Sequence, residues 1–160
     1  MDQKMSRRNL IAAAGAAVPL VTLGKNMELQ EPPGPLPADM VRQFVIAAHS
    51  KFDVVKSMLE EHPTLLNATL DWKNGDFESA IGGAGHMGRA DIARFLIEKG
   101  ARYDIFVAAM LGELDLVKSH IAAHPNLAKS LGPHGIPLIA HAKAGGDAAA
   151  HVLKYLEGLQ

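Results

Sequence analysis

One segment of the chain occurs twice, and this repetition constrains the fold more than any other feature of the sequence. Residues 44–65 align with residues 106–127 without a gap. The identical pairs are Phe44 and Phe106, Val45 and Val107, Ala47 and Ala109, Asp53 and Asp115, Val55 and Val117, Lys56 and Lys118, Ser57 and Ser119, His62 and His124, Pro63 and Pro125, and Leu65 and Leu127. Such repetition indicates an array, in which each unit buries its apolar face only against a neighbour.

A further unit lies between the two copies, in residues 79–101. Its second half has apolar residues on one helical face and ends at Gly100 and Ala101. This unit resembles an ankyrin repeat, although residues 79–84 depart from the usual Thr-Pro-Leu-His-x-Ala opening. A fourth unit in residues 135–156 keeps the Pro-Leu pair as Pro137 and Leu138. The resemblance covers residues 41–160 and implies an all-α, ankyrin-like α-solenoid of about four helix-turn-helix units that binds another protein.

The four units are predicted at about residues 38–74, 75–103, 104–135 and 136–160. Their inter-helix turns are expected at Ser50, Gly88, Gly112 and Gly145. The unequal spacing of these turns leaves room for two projecting loops, which we call the first finger (residues 63–76) and the second finger (residues 125–136). Each finger follows a His-Pro pair, because proline prevents the preceding helix from continuing. The fingers are the only segments where we expect strand, with a turn at Asn74-Gly75 in the first.

Composition agrees with a small helical domain. A chain of 160 residues with 48% hydrophobic content can close one core. The net charge of −1 gives no attraction to nucleic acid or to an anionic membrane. The absence of cysteine excludes disulfides and zinc sites with sulfur ligands. Because the motifs of phosphate-binding loops, nucleophile elbows and zinc proteases are also missing, we expect a non-enzymatic protein without a cofactor. We also expect a monomer.

Residues 1–37 have the order of a secretory signal and a linker. Lys4, Arg7 and Arg8 precede an uncharged run over residues 10–24, and residues 31–37 are rich in proline. We therefore divide the chain into a signal-like segment (1–25), a proline-rich linker (26–37) and a repeat domain (38–160). Residues 6–11 resemble a twin-arginine signal, which implies export of a folded protein to a bacterial periplasm. The alternatives are an uncleaved anchor and a buried N-terminal helix; the run is too short for an ordinary membrane span, which needs about 20 apolar residues.

Candidate binding residues precede the inter-helix turns, where the ankyrin resemblance implies the concave side of the stack. We expect an adaptable apolar groove for a protein segment, formed by His86, Met87, Met110 and Leu111. The alternative for Met87 and Leu111 is a place in the core.

The first finger adds Asp71, Trp72 and Lys73 to the predicted binding surface. Trp72 is the only tryptophan, and we expect it to be a binding anchor. The alternative is that its ring folds back as a lid over Phe77 and the first helix pair.

The eight histidines keep open an alternative function as a metal-binding, small-molecule-binding or enzymatic protein. This alternative uses a C-terminal cluster of His134, His141 and His151. The spacing typical of helical zinc pairs occurs only at His120 and His124, and His124 belongs to the repeated His-Pro helix end. We therefore predict no metal site.

Overall fold

Paired helices dominate residues 34–159, the part of the chain that this computed structural model describes. The α-helices are α1 (Ala38–Ala48), α2 (Phe52–Glu61), α3 (Ala80–His86), α4 (Ala90–Glu98), α5 (Ile105–Leu111), α6 (Leu114–Ala123), α7 (Leu138–Ala144) and α8 (Ala150–Glu157). The two strands are β1 (Thr69–Asp71) and β2 (Phe77–Ser79). The described residues are therefore mainly helical with one small sheet, and the helices of each pair lie on either side of a predicted turn.

Side-chain caps and proline set several helix ends. The Ser79 hydroxyl accepts a hydrogen bond from Gly82 N at the start of α3, and the Asp104 carboxylate accepts two from the first turn of α5. Helices α2 and α6 both end at a His-Pro pair. There the backbone N–H groups of His62 and His124 donate to the last turn, and a 3₁₀ turn follows the proline.

The odd-numbered helices form the interior of the helical domain. Helices α1, α3, α5 and α7 contact one another in chain order, and each also packs on its own partner, α2, α4, α6 or α8. Small residues permit the close approach: a Cβ atom at Gly85 would lie 3.2 Å from Val107 Cγ2. Two clusters of buried side chains fill the space, one centred on Phe44, Leu65 and Leu96 and the other on Val117 and Leu138.

Met110 and Leu111 belong to this interior. Their exposed fractions are 1% and 5%, and both pack in the first cluster. The prediction that they line an exposed groove is therefore wrong, and the alternative of a core position is correct for Leu111. The physical reason is the central place of α5, which contacts α3, α4, α6 and α7 and so has little surface left for solvent.

The first finger contains the sheet. After a 3₁₀ turn at Pro63–Asn67, β1 pairs antiparallel with β2, with Leu70 opposite Glu78. Asn74 and Gly75 form the predicted turn, with φ angles of 54° and 86°. The first finger therefore extends beyond residue 76 to the end of β2 at Ser79, where α3 follows directly.

The second finger contains 3₁₀ turns and no paired strand among the described residues. The turns lie at Pro125–Lys129 and Pro133–Gly135, and an isolated bridge joins Leu131 to Pro137. Within residues 34–159, no helix has the length and apolar character needed to cross a membrane. The predicted signal residues Arg7 and Arg8 lie outside the described residues.

Candidate metal centre

Four side chains from distant parts of the sequence meet beside the fingers. They are His49 at the end of α1, Glu78 in β2, His86 at the end of α3 and His134 in the second finger. Each offers one atom able to bind a metal, and these atoms all lie within 4.8 Å of one another. Two ligands about 2.1 Å from one ion can be about 4.2 Å apart, so small side-chain shifts bring all four within reach.

Glu78 is the centre of this cluster. Its side chain is fully buried, with a residue exposure of 1%. Its Oε1 atom accepts a hydrogen bond from His86 Nε2 at 2.8 Å and lies 3.4 Å from His134 Nε2. Burial alone would raise the pKa of Glu78, but hydrogen bonds from His86 and Trp72 and the positive charge that nearby histidines can carry lower it overall. The carboxylate is therefore held in its charged form, the form that binds a metal.

Two of the histidines are oriented by acceptors on their other ring nitrogen. His49 Nδ1 donates to the carbonyl oxygen of Val45 at 2.9 Å, and His134 Nδ1 donates to the Asp76 carboxylate at 2.7 Å. In a neutral ring these bonds place the proton on Nδ1, and the lone pair of Nε2 is then directed into the cluster. Carbonyl and carboxylate acceptors of this kind characteristically orient the histidines of metal sites.

Asp76 joins the two fingers at this point. One of its oxygens accepts from the backbone N–H of His134 at 2.8 Å, and the other accepts from the ring. The backbone bond from His134 is the main cause of the lowered pKa of Asp76. His134 has a left-handed backbone, with φ of 61°, a costly conformation for a residue other than glycine that is often found at functional sites.

A glycine makes space for the His49 ring. A Cβ atom at Gly83 would lie 2.8 Å from His49 Cε1, which is closer than such atoms approach. The small residues Gly82-Gly83-Ala84-Gly85 thus allow close packing, and at Gly83 they also fix the place of a candidate ligand.

Trp72 covers the cluster. Its indole N–H donates to Glu78 Oε2 at 2.8 Å, and its ring stands edge-on to His49 and His134, with centroid distances of 6.1 and 5.4 Å. The Trp72 ring is therefore folded back from the finger, as the alternative to a binding anchor states. It lies over the histidines and not over Phe77, whose side chain is exposed. The guanidinium of Arg42 lies over the indole ring, 5.4 Å from the centroid.

The remaining predicted binding residues lie around this cluster. Asp71 and Lys73 are exposed in the first finger, and Met87 is 51% exposed next to His86. His86 itself has become a candidate ligand. Its predicted neighbours in the groove, Met110 and Leu111, are absent from the surface.

The other C-terminal histidines do not join the cluster. His151 Nε2 bonds to the carbonyl oxygen of Gly112, and His120 Nδ1 bonds to that of Leu116. His141 is buried, its Nδ1 donates to the Pro137 carbonyl at 3.2 Å, and its Nε2 has no partner among the described residues. Burial lowers the pKa of His141. Of the C-terminal histidines that the alternative function would use, only His134 belongs to the group of four side chains.

The sequence held one signal for this group of four side chains. His49 and His86 both immediately precede or adjoin an inter-helix turn, so repeat alignment places them at neighbouring points of the stack. Glu78 and His134 carry no such signal, because only the three-dimensional paths of the fingers bring them there.

Comparison of the chain with protein-family models, curated proteins and solved structures found no match.

Proposed function

We propose that this protein binds a first-row divalent transition metal through His49, Glu78, His86 and His134. The observation that carries the proposal is the convergence of three imidazoles on one buried carboxylate. Three nitrogen donors and one oxygen donor suit Zn²⁺, Cu²⁺, Ni²⁺ or Fe²⁺.

When the histidine rings are neutral, the contacts within the cluster suit a metal ion better than a purely hydrogen-bonded network. His49 Nε2 lies 3.5 Å from Glu78 Oε2, and His134 Nε2 lies 3.4 Å from Glu78 Oε1. Both distances exceed those of good hydrogen bonds. In neutral rings, with the proton on Nδ1, these nitrogens direct lone pairs at carboxylate oxygens, which is repulsive; in protonated rings the same contacts are ion pairs. A metal ion among these atoms replaces that repulsion with attraction to all of them.

Calorimetric titration of the full chain with Zn²⁺, Ni²⁺ and Cu²⁺, after treatment with a chelator, tests this function. We expect one ion per chain for at least one of the metals. Loss of an outer-shell partner costs about 10–100-fold in metal affinity. Glu78→Gln and His86→Ala each remove a ligand, so each should weaken binding by more than that. His120→Ala is the matched control, because this exposed histidine on α6 lies outside the cluster. Equal affinity of all four proteins would reject the site.

We also propose that the helix pairs form an ankyrin-like α-solenoid. The order of contacts along α1, α3, α5 and α7 supports it, because repeat arrays pack each unit on its neighbours in sequence. Deletion of residues 136–160 tests this: it should expose the apolar faces of α5 and α6 and give an aggregating product. A soluble, equally stable truncated chain would exclude α7 and α8 from the array.

A protein segment remains a second candidate ligand, favoured by the exposed Met87 side chain beside the first finger. The surface for it comprises Asp71, Lys73 and Met87, with Trp72 and His86 beneath. Met87→Glu should then reduce capture of a partner from periplasmic extract, whereas Lys56→Ala on α2 should not.

Export to a bacterial periplasm through the twin-arginine signal is part of the same proposal. A metal inserted in the cytoplasm requires a route that carries folded proteins, which gives such a signal a purpose. Replacing Arg7 and Arg8 with lysine should block export by this route, and unchanged periplasmic yield would reject it.

A further inference from the structure

The cluster offers a metal a limited number of protein atoms. Trp72 Nε1–H donates to Glu78 Oε2 at 2.8 Å, and indole N–H groups can only donate. That bond engages one lone pair of Oε2, which also lies 3.5 Å from His49 Nε2. Oε1 faces both His86 and His134, so it is the oxygen better placed to bind an ion. Once an ion displaces the proton that His86 Nε2 donates to Oε1, and that proton is released to solvent, the protein supplies three nitrogens and one oxygen.

Two of the four candidate ligands are partly exposed. The side chains of His49 and His134 are 21% and 30% exposed, whereas that of Glu78 is fully buried and that of His86 nearly so. Closed structural zinc sites surround the ion with four protein ligands, while sites that exchange ligands keep a position free for water or substrate. The exposed edges of two of its four ligands give this site an approach from solvent.

The charge at the site favours an anion in that position. A divalent ion bound by neutral imidazoles and by the Glu78 carboxylate keeps a net positive charge at its centre. Arg42 adds a second positive charge 5.4 Å from the centroid of the Trp72 ring. The Asp76 carboxylate, bonded twice to His134, offsets one of these charges and leaves the sum positive. A small anion that reaches the ion would gain from this field.

On the basis of the proposed metal site, we infer that the bound metal keeps one solvent-facing coordination position that takes water or a small anion. Trp72 is the positioning residue that keeps this position free, because its hydrogen bond competes with the ion for Oε2 and so favours binding through Oε1 alone. The site thus belongs to the ligand-exchanging class of metal centre.

Azide titration of the Cu²⁺-loaded full chain tests this inference. We expect an azide-to-copper charge-transfer band that saturates at one azide per ion. In Trp72→Phe, the released Oε2 can take the free position, so the azide dissociation constant should rise about tenfold. Phe77→Leu is the matched control, because this aromatic side chain of the same finger is exposed and should leave azide binding unchanged.

A second measurement on the wild-type protein stands independently of any variant. Exchange of a copper-bound water should enhance the relaxation of solvent protons, and azide should suppress that enhancement. Failure of copper to bind would overturn the proposed function itself. Copper bound in the cluster with neither an azide band nor relaxation enhancement would overturn the open position alone, and an unchanged azide affinity in a folded Trp72→Phe protein would overturn the role of Trp72.

Discussion

At the scale of single residues, the cluster depends on side chains that hold its ligands in place. Val45 and Asp76 orient two histidines through their Nδ1 atoms, and Trp72 holds one oxygen of Glu78. Such outer contacts determine which atom of a ligand faces a metal and how firmly it is held. Changes at residues that never touch the ion should therefore alter its affinity.

Gly83 provides the sharpest residue-level prediction. Gly83→Ala places a methyl group against the His49 ring, which is anchored to Val45 and must move. We expect metal affinity to fall about tenfold or more, measured by calorimetry. Gly82→Ala is the matched control in the same helix, because its Cβ atom would come no closer than 3.4 Å to Ser79. Equal losses in both variants would mean that the helix, and not the His49 ring, is affected.

His141 predicts a dependence of stability on pH in metal-free protein. Burial lowers its pKa below the ordinary value of 6.5, so as pH falls through that value the unfolded chain takes up a proton that the folded chain refuses. The free energy of unfolding should consequently decrease from about pH 7.5 to about pH 5.5, where histidines in general titrate.

His141→Asn tests this contribution, because asparagine offers a donor for the Pro137 carbonyl and does not titrate. Denaturant unfolding in the presence of a chelator should show a smaller loss of stability over the same pH range in the variant. Parallel curves for the two proteins would show that other groups cause the dependence.

At the scale of elements, the helices were more predictable than the fingers. Helix pairs repeat a local pattern of apolar spacing, turn glycines and His-Pro ends, so their positions follow from short stretches of sequence. The fingers interact through long-range contacts, such as Asp76 with His134, which no local pattern encodes. For this reason the sequence predicted the turn at Asn74-Gly75 correctly and missed the junction between the fingers.

The junction between the fingers should be necessary for tight metal binding. Asp76→Ala removes both acceptors of His134, so its left-handed backbone and its ring orientation lose their support. We expect an about 10–100-fold loss of affinity in a titration, with the helical circular dichroism unchanged. Lys73→Ala, an exposed change in the same finger, should bind as the wild type does. Wild-type affinity of Asp76→Ala would show that His134 is positioned by other contacts.

At the scale of the whole molecule, the candidate site is a product of stacking. One ligand comes from the first helix pair, two from β2 and α3 of the second, and one from the finger that leads into the fourth. Searches for motifs of adjacent histidines fail on such a site, because its ligands are far apart in sequence. The ankyrin resemblance wrongly placed Met110 and Leu111 at the surface. That prediction did not account for the neighbours that the central helix α5 contacts.

X-ray absorption spectroscopy of the full chain loaded with one equivalent of Zn²⁺ tests the central claim most directly. Coordination by His49, His86, His134 and Glu78 predicts a first shell of nitrogen and oxygen atoms at about 2.0–2.1 Å and outer-shell scattering from three imidazole rings. His86→Ala should reduce that outer-shell scattering by one ring, and His120→Ala should leave it unchanged. A first shell without imidazole scattering, or an identical spectrum for His86→Ala and wild type, would contradict the assignment of this cluster as a metal centre.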